Sequence, residues 1–471
     1  MRVVSADLWE PAPGRVVTWD VMPGAGRVPT PAPLTYNQRN HLLGADAGEP
    51  SVWITAAFDV DGPVDLGALE SAFRDLVARH AGLSVEAVRL PGGSSGVDGG
   101  AAGGVGLVRH EPGTLVWQRN DGPVTSTVEA TRAHLVAELS RRCAPFGYPA
   151  FLPAAISRPD RSTIVFGMDH LHTDAWSTTV VVDELAALYG ARAGAGVPAV
   201  SPDGPADALV VEALNPAAAA RPELVGANDP RLATWHGFLR DRGWALPTFP
   251  LPLGVPDGER VPQRTVLRSL ADAPTADAVA ARAGAAGAST SAAVLASLAG
   301  AVADLGGPAV LDTLLPVHTR ADATARRTIG WHTTTVPLRI EVGAPVGVGV
   351  GAATDTTLAA AGKALRAARE LAAVPLEQVV ESLPRPLRFP RVDIFQVSYL
   401  DYRRLPGHLA AAGRRAHHVS AATRADDLQL WVSRTNEGVA VRARMPRTDV
   451  AVETVDALLD RWAERLTVLG G

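Results

Sequence analysis

The chain has 471 residues, one cysteine (Cys143) and a formal charge of −5 from 44 basic and 49 acidic residues. One thiol excludes an internal disulfide framework, and the slightly acidic balance argues against nucleic acid as the main partner, because phosphate binding needs a strongly basic surface. The length fits two or three domains, enough to bury a core without disulfides or metal staples. Lys363 is the sole lysine, which reads as genomic base composition and not as chemistry. The first residues are acidic and polar where a secretory leader carries an apolar run, and no apolar stretch of about 18 residues occurs. The expectation is a cytoplasmic enzyme or binding protein without a membrane span.

In chain order, residues 1–33 are proline-rich and aperiodic, with Trp9 and Trp19, and read as an extended arm lying on the body. Helical spacing follows at 34–44 and a β-branched, aromatic strand at 52–60. Asp65 starts a helix in which Leu66, Leu69, Phe73, Leu76 and Val77 recur at three and four. Residues 91–106 form a Gly-rich loop without the GK[ST] ending of a phosphate cradle. A strand at 114–119, a helix at 126–142, a strand at 162–168 and a helix at 178–189 follow. Residues 190–230 read as a connection and the best domain boundary. Beyond it the pattern predicts strands at 264–269, 309–316, 333–342 and 392–399, and helices at 275–284, 289–305 and 355–373. A hairpin over 428–445 and a capped helix at 449–469 close the chain. Strands and helices mix in both halves, so the expected fold class is α/β in two comparable lobes, 1–200 and 201–471.

Ionisable groups concentrate in Met168-Asp169-His170-Leu171-His172-Thr173-Asp174-Ala175-Trp176-Ser177, between a buried-looking strand and a helix. Such turns expose side chains at a sheet edge. Three readings compete. A histidine can accept a proton from an amine or hydroxyl near neutral pH. His170-x-His172-x-Asp174 also begins the HxHxDH pattern of metallohydrolases, but Ala175 stands where another ligand is needed. The third reading is a hydrogen-bonded turn and helix cap with no chemistry.

The segment Asp169–Ala175 resembles the HHxxxDG hallmark of the condensation-domain superfamily of nonribosomal peptide synthesis. His170 matches the second His and Asp174 the Asp; Asp169 replaces the first His and Ala175 the Gly. Other segments are similar to family motifs, in order: Leu34-Thr35-Tyr36-Asn37-Gln38, the helix ending at His80, Leu315–Arg320, Ile329-Gly330 with Thr335–Arg339, Phe395–Ser398 and Asp427–Leu430. The stretch Trp9–Trp19 resembles the start of polyketide-associated acyltransferases, a branch of the same superfamily.

The resemblance implies two chloramphenicol-acetyltransferase-like lobes in a V with a central tunnel, and His170 at its centre. It implies transfer of an acyl or aminoacyl group from a thioester to an amine or hydroxyl, giving an amide or ester. The donor would arrive on a carrier protein's phosphopantetheine or as acyl-CoA, with no cofactor and no metal. His170 would take the nucleophile's proton, and Asp174 would be structural, paired with Arg320. Asp169, if close, would raise the pKa of His170. Ala175 would strain the turn if a positive φ were required there, and would narrow the site if its methyl faced substrate. His172, Trp176, His332 and Ser398 are candidate substrate contacts, with packing as the competing role. His417 and His418 fall in an Arg-rich stretch that reads as solvated. Two alternatives stay open: an inactive condensation-like protein that recruits a partner, and a heterocyclisation enzyme, whose DxxxxDxxS pattern Asp169, Asp174 and Ser177 satisfy.

Overall fold

The computed structural model describes residues 1–30, 34–90, 104–194, 224–342 and 350–471. Most of the expected Gly-rich loop and of the expected connection at 190–230 lies outside these residues. Two compact units are present. The first comprises Met1–Arg221, Arg320–His332 and Arg404–Ala422; the second comprises Pro222–Thr319, Thr333–Arg403 and Thr423–Gly471. The units are interleaved along the chain.

The first unit is built on a seven-stranded sheet. Its order is Arg2–Ser5, His417–Ser420, Trp53–Asp61, Arg161–Asp169, Phe151–Ser157, Arg15–Met22 and Val116–Val124. Strand alternation sends side chains to opposite faces, and both faces are covered. Ala56, Phe58, Ile164, Phe166 and Met168 pack with Leu69, Phe73 and Leu76 of the helix Leu66–Arg79 and with Val181 and Leu185 of the helix Ala175–Arg192. Ala57 and Val165 point the other way, onto Leu135 and Leu139 of the helix Val128–Arg142. The Asp65 carboxylate caps the first helix, accepting from the backbone N–H of Gly67 and Ala68 at 2.9 Å.

Three segments depart from the sequence expectations. The N-terminal stretch is no arm: Arg2–Ser5 and Arg15–Met22 are strands of the sheet, and Trp9 and Trp19 are buried. Arg15–Met22 is covered on both faces, so it lacks the alternation that marks a half-buried strand. Phe151–Ser157 is a strand despite Pro153; the pairing with Arg15–Met22 begins at Ala154, so the missing N–H of Pro153 falls outside that ladder. His417–Ser420 is a strand between Arg2–Ser5 and Trp53–Asp61, not a solvated loop. Burial, with the neighbouring Arg2 and N-terminus, lowers His417 to about 4.

The second unit carries another seven-stranded sheet, ordered Thr333–Glu341, Val310–His318, Gln396–Asp401, Gln429–Thr435, Gly438–Pro446, Val261–Asp272 and Arg424–Ala425. The helix Thr290–Asp304 is apolar almost all round and buried accordingly. Trp462, on the closing helix Asp449–Gly470, donates its indole N–H to the Val294 carbonyl at 3.0 Å. Among the described residues no single helix is long and apolar enough to cross a membrane.

Candidate active site

The site grows from the end of the strand Arg161–Asp169. Eight of that strand's nine residues are buried, which fixes where the chain emerges. A single 3-10 turn, His170–His172, then leads through Thr173 and Asp174 into the helix Ala175–Arg192. Each end of this turn is closed by a carboxylate. Asp169 Oδ1 accepts from the Leu171 N–H at 2.8 Å, and Asp174 Oδ1 accepts from the Ser177 N–H at 2.8 Å as helix cap. The His170 N–H donates to the Val52 carbonyl at 2.9 Å. Gln38, in a capping box with Thr35, donates its side-chain N–H to the Leu171 carbonyl at 3.0 Å.

At the helix end every oxygen of the Asp174 carboxylate is engaged. Arg320 binds it in bidentate fashion at 2.7 and 3.0 Å, the Ser177 hydroxyl donates to Oδ1 at 2.8 Å, and the His332 N–H donates to Oδ2 at 3.1 Å. Burial raises the Asp174 carboxyl, but the Arg320 guanidinium outweighs it and holds the group well below the usual carboxylate range. Arg320 is itself 2% exposed, so this is a desolvated, charge-assisted pair. The segment Arg320–His332 is fastened further by Ser177, whose hydroxyl oxygen accepts from the Gly330 N–H at 3.1 Å. It is also held by Trp176, whose indole N–H donates to the Arg326 carbonyl at 2.9 Å. Ala175 is the first residue of the helix and has no positive φ. The strain considered for a residue replacing glycine therefore does not arise.

At the strand end the polar groups are incompletely matched. Asp169 is fully buried; His41 Nε2 lies 2.8 Å from its Oδ1, while Oδ2 has no hydrogen-bond partner among the described residues. His170 keeps partial exposure, its Nδ1 is likewise unpartnered, and the Trp331 ring stacks on its imidazole with centroids 3.9 Å apart. Burial and the neighbouring His41 lower the pKa of His170; Asp169 and Asp174 oppose them without reversing the direction. The expectation that Asp169 would raise His170 thus gives the sign of one contribution, and the net shift is the opposite. His172 is buried, with its Nδ1 2.9 Å from the Gly82 carbonyl, and burial lowers it too. His332 is lowered by burial and by Arg320 to about 4, with its Nε2 3.2 Å from the Thr328 hydroxyl.

The first unit thus brings together Asp169, His170, His172, Asp174, Ala175, Trp176, Arg320 and His332. Ser398 stands on the strand Gln396–Asp401 of the second unit, paired in register with Trp431. Sequence reasoning missed His41 and Trp331. His41 follows Gln38 by three residues on the helix Tyr36–Asp46, so both share the face that meets the turn. Trp331 is the neighbour of a residue already singled out. Among the described residues no group of three His, Cys, Asp or Glu side chains is arranged to hold a metal ion. A lowered, partly exposed imidazole on a rigid turn can accept a proton near neutral pH.

No family model matches the chain. It is 26% identical over 316 residues to Acyltransferase PapA3 of Mycobacterium tuberculosis, a match covering 66% of this chain and 64% of that protein, a little under two thirds of the relative's length. It is 27% identical over 485 residues to Trehalose-2-sulfate acyltransferase PapA2 of Mycobacterium bovis, covering 95% of this chain and 92% of that one. Among solved structures, a PapA2 acyl transferase superposes with a TM-score of 0.82 at 22% identity, covering 100% of both chains. The first condensation domain of the CDA synthetase superposes with a TM-score of 0.61 at 17% identity, covering 95% of this chain and 98% of that one.

Proposed function

We propose that the chain is an acyltransferase of the condensation-domain kind, moving an acyl group from a thioester donor to a hydroxyl or amine with His170 as general base; the fold shared with a PapA2 acyl transferase and with condensation domains supports this reading. The single observation that carries this reading is the state of His170. It is the partly exposed imidazole on a turn locked by the Asp174–Arg320 pair, and burial together with His41 favours its unprotonated form.

The chemistry follows in order. The acceptor's O–H or N–H donates to the free imidazole nitrogen as its heteroatom attacks the thioester carbonyl. A tetrahedral oxyanion forms, the C–S bond breaks, and His170 passes the proton to the departing sulfur, which leaves as the thiol and returns the imidazole to its free form. A thioester is already activated, so positioning and proton transfer supply the acceleration. Asp174 and Arg320 act by holding the turn and touch no reacting atom. His172, with its Nδ1 on a carbonyl, and Trp176, with its indole on the Arg326 carbonyl, are structural in this reading. His332 and Ala175 are candidates for shaping the acceptor site.

The trehalose-sulfate acyltransferases among the relatives favour a sugar or other polyol hydroxyl as acceptor, and hence an ester product, over an amine. The donor in this reading is an acyl thioester on coenzyme A or on a carrier protein's phosphopantetheine. The test is incubation of purified protein with acyl-CoA and acyl-carrier thioesters and with trehalose derivatives or amines, read by mass spectrometry. Acyl transfer that falls by about 10²–10⁴-fold in His170→Ala, with the fold kept, is expected. A His170→Ala protein that turns over as wild type overturns the assignment. Absence of any transfer, with retained binding of a partner enzyme, identifies a recruitment protein instead.

A further inference from the structure

Asp169 is a fully buried carboxylate beside the proposed base, in a position where a lone charge is costly unless it is paired. The pairing comes from outside the motif. His41 donates its Nε2–H to Asp169 Oδ1 at 2.8 Å, from the helix Tyr36–Asp46. The His41 ring lies 6.3 Å from the His170 ring and 6.0 Å from Trp331, edge-on to the indole. Trp331 in turn lies flat on His170. Three rings and one carboxylate therefore form a closed cluster, and neither His41 nor Trp331 lies in the turn that carries His170.

We infer that His41 is the positioning residue of this site: bound to Asp169 and set against Trp331, it occupies the carboxylate edge nearest His170 and fixes the carboxylate and the indole around that imidazole. The charged and titratable groups around His170 are few. Asp169 and Asp174 flank it on the turn and favour its protonated form; His41 disfavours it. Asp174 is neutralised by Arg320, on the same segment as Trp331 and His332, and His172 is held on the Gly82 carbonyl. The face of Trp331 also favours a cation. His41 is thus the one neighbouring side chain that works toward the free base, alongside burial. The same hydrogen bond explains how a carboxylate is tolerated at position 169: the Asp169–His41 pair, and not the carboxylate alone, is what His170 meets.

The inference rests on the role of His170 as base, but its test reads the imidazole directly and needs no substrate. The rate of carbethoxylation of His170 by diethylpyrocarbonate, which requires the unprotonated ring, is followed against pH by tandem mass spectrometry that separates His170 from His172. In His41→Gln the midpoint is expected to move up, because the Asp169 carboxylate then faces His170 without its hydrogen-bonded partner. In Asp169→Asn it is expected to move down, because the opposing carboxylate is gone while the fold keeps an acceptor for the Leu171 N–H. Opposite movements support the inference. Midpoints that stay put, or that move the same way in both variants, overturn it, and should either variant fail to fold, the direction found in the other decides alone. If acyl transfer is absent while the midpoints move as stated, the proposed function fails and this inference stands.

Discussion

The two ends of the turn His170–Asp174 are built from the same residue types and obey different rules. At the helix end, Asp174 meets five hydrogen-bond donors and Arg320 fills the second carboxylate edge. At the strand end, Asp169 Oδ2, His170 Nδ1 and His172 Nε2 are buried without a partner among the described residues. Buried polar atoms are normally matched, so the helix end is a saturated structural cluster, while the strand end keeps polar capacity in reserve. Arg320 Nε is the exception at the saturated end.

The comparison is broken most directly at Asp174. Asp174→Ala leaves Arg320 buried without its counter-charge and removes the helix cap, and is expected to cost about 3–5 kcal/mol in chemical denaturation. The double change with Arg320→Met should cost less than the sum of the single ones. Removing His170 by His170→Ala should cost no more than about 1 kcal/mol while abolishing most transfer; similar losses of stability at both ends would erase the distinction.

Acid sharpens the contrast next. Asp174 titrates below the unfolded carboxylate range, so its contribution is present above about pH 4 and is lost as pH falls below that. His332 and His417 are each lowered to about 4 against an unfolded value near 6.5. Their unfolded forms bind more protons between those values, so stability is full above about pH 6.5 and declines toward pH 4. The decline should reach up to roughly 3 kcal/mol for each. His332→Gln should flatten that decline in pH-dependent denaturation; an unchanged slope would place its titration elsewhere.

Smaller effects are expected at the ring stack and the helix start. Trp331→Leu should lower the transfer rate by about tenfold, the value of one aromatic stack, with little change in melting. Ala175→Gly should cost less than about 1 kcal/mol, because the position is helical and needs no left-handed backbone.

Much of the site was legible because it is local. The order strand, turn, helix is set by the buried run before Asp169, the Asp174 cap and the apolar positions of the helix behind it. The Arg320 pairing was implied by a motif far along the chain. Buried strands were less legible. Arg15–Met22 and His417–Ser420 carry no alternation, since their coverage on both faces is decided by segments distant in sequence. His41 was invisible for the same reason: nothing at positions 36–46 says which carboxylate the helix will face.

Residue order alone therefore determined an α/β chain, the strand-to-helix turn and the imidazole it exposes, because capping, periodicity and backbone preference act over a few residues. Only the tertiary structure decided the interleaving of the two units and the burial of the N-terminal strands. It also decided the direction in which the His170 imidazole is shifted. That last property is a balance between desolvation and charges brought together from the helix Tyr36–Asp46, the turn and the segment Arg320–His332. Electrostatic energy depends on distance in space, which no single stretch of sequence contains.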